Sequence, residues 1–199
     1  MKNNKFIGFL IAISIVLLFT YNAQAGVATD RIKGATDKLI EIVTNHDLDS
    51  PEMAEKRAHM IREAVDTVFD WSAFSQRALG RYWGKLNKQE KEEFVSLFGQ
   101  LLERTYMDKT KQYSGQKMNF ISEETDGKYG VVDAEVVIEN GNNIMVQFRV
   151  IKEKDTWFIY DVFVEGVSFV NNYRVQFNNI LTKSGYGELI SRLKTKLDQ

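Results

Sequence analysis

Between Gly26 and about Tyr113 the apolar residues recur with a helical period, and after Gly115 with a period of two. Ile32, Ala35, Leu39, Ile42 and Val43 fall on one face of a first helix; Ala54, Ala58, Ile61, Val65 and Val68 fall on one face of a second. Ser50-Pro51 gives the second helix an N-cap and a proline at its first position. A short helix is predicted to follow Asp70 and stop at Gly80. Asn87 with Glu90 three residues on opens the longest and most apolar helix, whose stripe is Phe94, Leu97, Phe98, Leu101 and Leu102.

Met118 to Ser122, Tyr129 to Ile138, Ile144 to Ile151 and Trp157 to Val164 read as four strands. They are separated by Asp126-Gly127, by Asn140-Gly141 and by the charged turn KEKD. Turns this short predict an antiparallel meander. Two last helices are expected from about Ser168 to Ser184 and from about Tyr186 to Leu197, with Gly185 as the stop between them. The second strand alternates cleanly: Val132, Ala134, Val136 and Ile138 lie on one face, and Asp133 and Glu135 face water. TWFIYDVFV does not alternate, so the last strand is expected to be covered on both sides. The order is helices, then sheet, then helices, which is an α+β architecture built on a twisted antiparallel sheet of about four strands.

The first 25 of the 199 residues look like an export leader. Lys2 and Lys5 precede the largely apolar run Phe6 to Phe19, and Ala23-Gln24-Ala25 is an A-x-A cleavage site. Fourteen residues at about 1.5 Å each are too short for a bilayer core of about 30 Å. Residues 26–199 are then expected to form one domain. Loss of Lys2 and Lys5 leaves 24 of the 26 basic residues against 27 acidic ones, a formal charge of −3. That balance offers no footprint for nucleic acid. Export of a chain without cysteine fits a bacterial periplasm and excludes a lipid-modified cysteine anchor.

Candidate chemistry is sparse. His46 and His59 are the only histidines, and neither has a second histidine or a cysteine at metal-ligand spacing. Ser168 lacks the second glycine of a G-x-S-x-G elbow and sits where a helix N-cap belongs. Asp161 with Arg174 suggests a polar pair, and GKYG from Gly127 to Gly130 a hairpin turn. No catalytic residue and no metal ligand is assigned.

FDWSAFSQRALGRYW (Phe69 to Trp83), then Gln89, Phe94, Phe98, Leu101, Leu102 and Thr105-Tyr106, then WFIYDVFVEGVSFVNNYRVQF, and finally Gly185 with Leu189-Ile190 form a connected pattern. It resembles the MlaC family, also called the toluene-tolerance auxiliary family, from about Ala54 to Leu193. The EGVS...NYR.QF block is its most specific part. The resemblance implies a periplasmic phospholipid carrier, shuttling lipid between an outer-membrane lipoprotein complex and an inner-membrane ABC transporter with its lipid-binding substrate protein. Contact with these membrane complexes would be transient. It also implies a cone-shaped sheet like that of nuclear transport factors, packed with helices around an apolar cavity. Phospholipid is then cargo, and no cofactor is implied.

On that reading the sheet face Val132, Val136, Ile144, Val146, Phe148 and Val150 would meet the helix stripe Phe94, Phe98 and Leu101 across the cavity. Gly166 would turn the chain off the last strand and Ser168 would cap the new helix, which would close one side with Val170, Tyr173 and Phe177. Arg174 would hold that helix by pairing with Asp161 or Glu165, or else sit at the mouth near a phosphate. Head groups would stay in water, which implies weak head-group selection. Two other readings stay open: an enzyme of the same cone-shaped fold acting on a small apolar substrate, and a structural envelope protein with a solid core.

Overall fold

A computed structural model describes residues 26–110, 113–138 and 141–198. The leader, with its basic start and A-x-A motif, lies outside the described residues. Helix α1 (Val27–Val43) is followed by α2 (Ala54–Asp66), α3 (Trp71–Leu79) and α4 (Lys88–Thr110). Strands β1 (Lys117–Asp126), β2 (Tyr129–Val137), β3 (Ile144–Glu153), β4 (Thr156–Val164) and β5 (Val167–Ser168) then form one antiparallel sheet in sequence order. Helix α5 (Phe169–Leu197) closes the chain and breaks at Gly185, whose φ of 81° is outside the helical region. The architecture is α+β, with five strands rather than about four; the fifth is only two residues long.

Local chemistry sets the helix starts. Asn87 and Glu90 form the reciprocal capping box: Oδ1 of Asn87 accepts from the Glu90 amide at 2.9 Å, and Oε2 of Glu90 accepts from the Asn87 amide at 2.8 Å. Asp70 accepts from the Ala73 amide at 2.8 Å and opens α3, which stops at Gly80 with φ of 56°. Ser50-Pro51 behaves differently from expectation. Ser50 makes no side-chain cap, Pro51–Met53 is a 3-10 turn, and α2 begins only at Ala54, which is exposed. The face that α2 buries carries Ile61 and Ala64. Val68 lies beyond the helix, where its carbonyl accepts from the Ile159 amide at 2.7 Å and ties the chain to β4.

The core divides. Ala28, Ile32 and Ala35 of α1 pack on the inner sheet face, where Val132, Ala134 and Val150 are fully buried. Phe94, Phe98 and Leu101 of α4 pack instead against α3 and α5. Ile42, Leu48, Ile61 and Ala64 make a small separate cluster that joins α1 to α2. β4 is covered on both faces, as its pattern required. Trp157, Ile159 and Val162 point into the core, while Phe158, Tyr160 and Phe163 lie under the guanidiniums of Arg31, Arg77 and Arg149, at 4.9, 3.9 and 5.3 Å.

Candidate functional site

The two main clusters do not meet everywhere. Between them lies a cavity of about 950 Å³, at the upper end of the ~300–1,000 Å³ of ordinary ligand sites. Its wall is drawn from most of the fold. Leu39 comes from α1, Ile61, Arg62, Val65 and Asp66 from α2, and Phe69, Trp71 and Phe74 from the connection to α3 and from α3 itself. Met118, Phe148 and Val162 come from the sheet, and Phe169 from the first residue of α5. The largest share belongs to α4, where Val95, Gly99, Leu102 and Tyr106 recur at helical spacing, flanked by Ser96, Gln100 and Glu103.

Aromatic rings give the wall its stiffness. Phe69 stacks on Trp71 with centroids 4.9 Å apart, and Phe74 meets both edge-on at 6.2 and 6.0 Å. Across the space Tyr106 stacks on Phe169 at 5.2 Å. The charged members of the wall are tied to partners. Nε of Arg62 donates to Glu103 at 2.8 Å and bridges α2 to α4, and Nε1 of Trp71 donates to Asp66 at 2.6 Å. Arg62, Asp66, Ser96, Gln100 and Tyr106 are exposed, so the cavity opens between α2 and α4. The remaining wall is aliphatic and aromatic, suited to a long apolar ligand whose polar end stays at this rim.

Of the twelve residues expected to line the site, Phe148 alone is in this wall. Val132, Val136, Ile144, Val146 and Val150 belong to the sheet cluster, whose inner face α1 covers. Phe94, Phe98, Leu101, Val170, Tyr173 and Phe177 fill the space among α3, α4 and α5; Phe98 meets Tyr173 and Phe177 edge-on at 4.9 and 5.0 Å. The expected sheet face and helix stripe therefore do not confront each other. The stripe is too bulky to be left open, and the fold uses it as core. The side of α4 that borders the cavity is the mixed one, and its period is masked by Ser96, Gln100 and Glu103.

The β4–α5 junction is a capping network. Asp161, 7 % exposed, accepts from the Ser168 hydroxyl at 2.6 Å and from the amides of Val162 and Val170 at 2.8 and 3.0 Å, while Ser168 Oγ accepts from the Asn171 amide at 2.9 Å. Three donors satisfy a carboxylate that lies outside the cavity wall. Glu165 and Gly166, with φ of 51° and 77°, make the two-residue turn between β4 and β5. Arg174 pairs with neither Asp161 nor Glu165: its Nε donates to the Arg77 carbonyl at 2.7 Å and locks α5 to the end of α3. Phe169, rather than the three residues expected, brings the junction into the wall. His46 and His59 are exposed, and among the described residues no group of three His, Cys, Asp or Glu could hold a metal ion.

The MlaC protein family model matches residues 33–195, which include every residue of this wall. The chain belongs to the MlaC family. A relative within it is the "Intermembrane phospholipid transport system binding protein MlaC" of Haemophilus influenzae, 28% identical over 128 residues. The matched stretch covers 62% of this chain and 60% of that relative's length. Among solved structures, the phospholipid-binding protein of Ralstonia solanacearum, determined in complex with a phospholipid, superposes with a TM-score of 0.75 at 23% identity, covering 87% of this chain and 98% of that one. The fold is thus shared by two chains whose side chains differ at most positions.

Proposed function

We propose that this chain is a periplasmic phospholipid carrier which holds acyl chains in the cavity between α4 and the sheet. The observation that carries this is the cavity itself, about 950 Å³ with an aliphatic and aromatic interior and its charges confined to the rim. The H. influenzae relative's name and the phospholipid in the R. solanacearum structure support the same reading. At about 0.8 kcal/mol per methylene, roughly thirty acyl methylenes left in water would cost on the order of 24 kcal/mol. A carrier must therefore replace the bilayer for the whole apolar length at once, which a cavity of this size allows.

Phe148 is the one residue expected from sequence that contacts cargo in this reading; Phe69, Trp71, Val95, Leu102, Tyr106 and Phe169 contribute the remaining main contacts. The head group stays at the rim near Arg62 and Glu103, and the Arg62 guanidinium is already paired with that carboxylate. The leader is removed after Ala25 and the released domain works in the periplasm. It collects and delivers lipid by transient contact with an outer-membrane lipoprotein complex and an inner-membrane ABC transporter's lipid-binding protein. The chain carries out no chemistry on its cargo.

The test is direct. Protein purified from the periplasm is extracted with organic solvent and the extract analysed by mass spectrometry, with near one equivalent of diacyl phospholipid per chain expected. A lipid-free protein that stays empty after incubation with liposomes would remove the carrier reading.

A further inference from the structure

Helix α1 starts one residue after Gly26, and Gly26 serves as its N-cap without a side chain to offer. A free α-amino group at Gly26, the residue that follows the A-x-A motif, would lie at the positive end of the helix dipole, an unfavourable place for a cation unless a carboxylate offsets it. The carboxylate of Glu123 reaches this point from β1. Its Oε2 accepts from the Thr29 amide and the Thr29 hydroxyl, both at 2.7 Å, and its Oε1 from the Ala28 amide at 3.4 Å. It also lies against Gly26 itself: a Cβ built there would fall 2.1 to 2.2 Å from the carboxyl carbon and both oxygens. With standard backbone dimensions this places the Gly26 nitrogen no more than about 5 Å from either oxygen.

We propose that Glu123 is the binding site for the α-ammonium that leader removal creates at Gly26, so that processing completes an ion pair which the precursor lacks. Before cleavage the same nitrogen is a neutral amide. Afterwards it carries a full charge beside a carboxylate that two amides and a hydroxyl already hold in place. The surroundings favour the pair: exposed Asp30 adds negative charge in the first turn of α1, Glu124 points to the opposite face of β1, and Arg31 is turned away to the Thr67 carbonyl and the Phe158 ring. A side chain at this position would push the carboxylate away from the nitrogen. Fastening the start of α1 also fastens its Ala28, Ile32 and Ala35 onto the sheet, so the mature chain is more stable than the precursor.

The inference rests on cleavage after Ala25, and amino-terminal sequencing of the periplasmic protein checks that step by itself; a terminus elsewhere overturns the pairing as well, while the lipid content still tests the carrier reading. Residues 26–199 with a free Gly26 amine are compared with the same chain acetylated at Nα, each with and without Glu123→Gln. The expected result is a fall of several degrees in the unfolding midpoint on Glu123→Gln in the free-amine chain and a clearly smaller fall in the acetylated one. The amine should also titrate above the ~7.7–8.0 of an unconstrained α-amino group. Its stabilisation is then complete below that range and is lost as pH rises through the raised folded value. Equal losses in both chains, or an amine titrating at or below the ordinary range, would reduce Glu123 to a plain helix cap and overturn the proposal. If Glu123→Gln does not fold, nitrogen NMR titration of the amine in the unaltered chain decides alone.

Discussion

Gly99→Phe separates cargo from core. Gly99 lies on the cavity side of α4, and a Cβ placed there meets no atom within 4 Å. Replacing a glycine inside a helix recovers a few tenths of a kcal/mol of backbone propensity, up to ~1 kcal/mol. The ring itself gains from any apolar wall it covers, so the empty protein should be as stable as the parent or slightly more so. Its effect on cargo has the opposite sign. A cavity of about 150 Å³ accommodates benzene, so one ring takes roughly a sixth of the 950 Å³ available. Displacing about five of some thirty acyl methylenes at ~0.8 kcal/mol each removes ~4 kcal/mol of lipid binding, close to three decades in affinity. The assay is thermal unfolding of delipidated parent and variant, since bound lipid would itself raise the midpoint, together with mass spectrometry of lipid acquired from liposomes. Loss of several kcal/mol of stability would show that no space exists at Gly99, and undiminished lipid content would show that the chains lie elsewhere; either result refutes the reasoning.

Gly166→Val should cost about 1–3 kcal/mol, because the φ of 77° is strained for a β-branched residue although nothing crowds the position; Gly166→Asn should recover most of it, and an unchanged unfolding midpoint for the valine variant would contradict this account of the turn. Arg62→Ala breaks the bridge between α2 and α4 at the cavity opening, and its partly exposed character limits the stability loss to ~1 kcal/mol or less. Stopped-flow transfer of fluorescent phospholipid to acceptor vesicles should nevertheless run faster, and an unchanged rate would mean that the bridge does not restrain the opening. Tyr173 and Tyr186 have phenols pushed up to about 12, in each case chiefly by burial. They favour the fold fully below an ordinary phenol value of about 10 and lose that contribution as pH climbs toward 12. Alkaline unfolding should therefore set in above about pH 10, with two tyrosines ionising only as the chain opens, followed by phenolate absorbance.

The frame of this fold was legible wherever one physical signal governed a stretch. Alternation along β2 placed Val132 and Ala134 at full burial, and the spacing of Asn87 and Glu90 located the start of α4. Signals failed where two causes compete. Ser50-Pro51 looks like a helix start, yet the chain spends Pro51–Met53 in a 3-10 turn first. β5 is two residues long, too short to show any period. The cavity wall was harder still, because α1 to α5 and three strands contribute to it and no common period connects their residues. Hydrophobic periodicity finds faces that pack against protein, since those need large apolar side chains at every turn. A face bordering open space is defined by what is missing, and on α4 the decisive residue is the glycine at 99.

Helix α4 is a partition with different duties on its two sides. Phe94, Phe98 and Leu101 hold the helical core, Val95 and Gly99 border the cavity, and buried Leu102 belongs to both. Gly99 lies about 100° or more around the helix from Phe94, Phe98 and Leu101, so its side of the rod is separable from theirs. On the carrier reading proposed above, a lineage facing a new membrane composition can retune the length or bulk of the chains it accommodates by a point change at Gly99, leaving the helical core untouched.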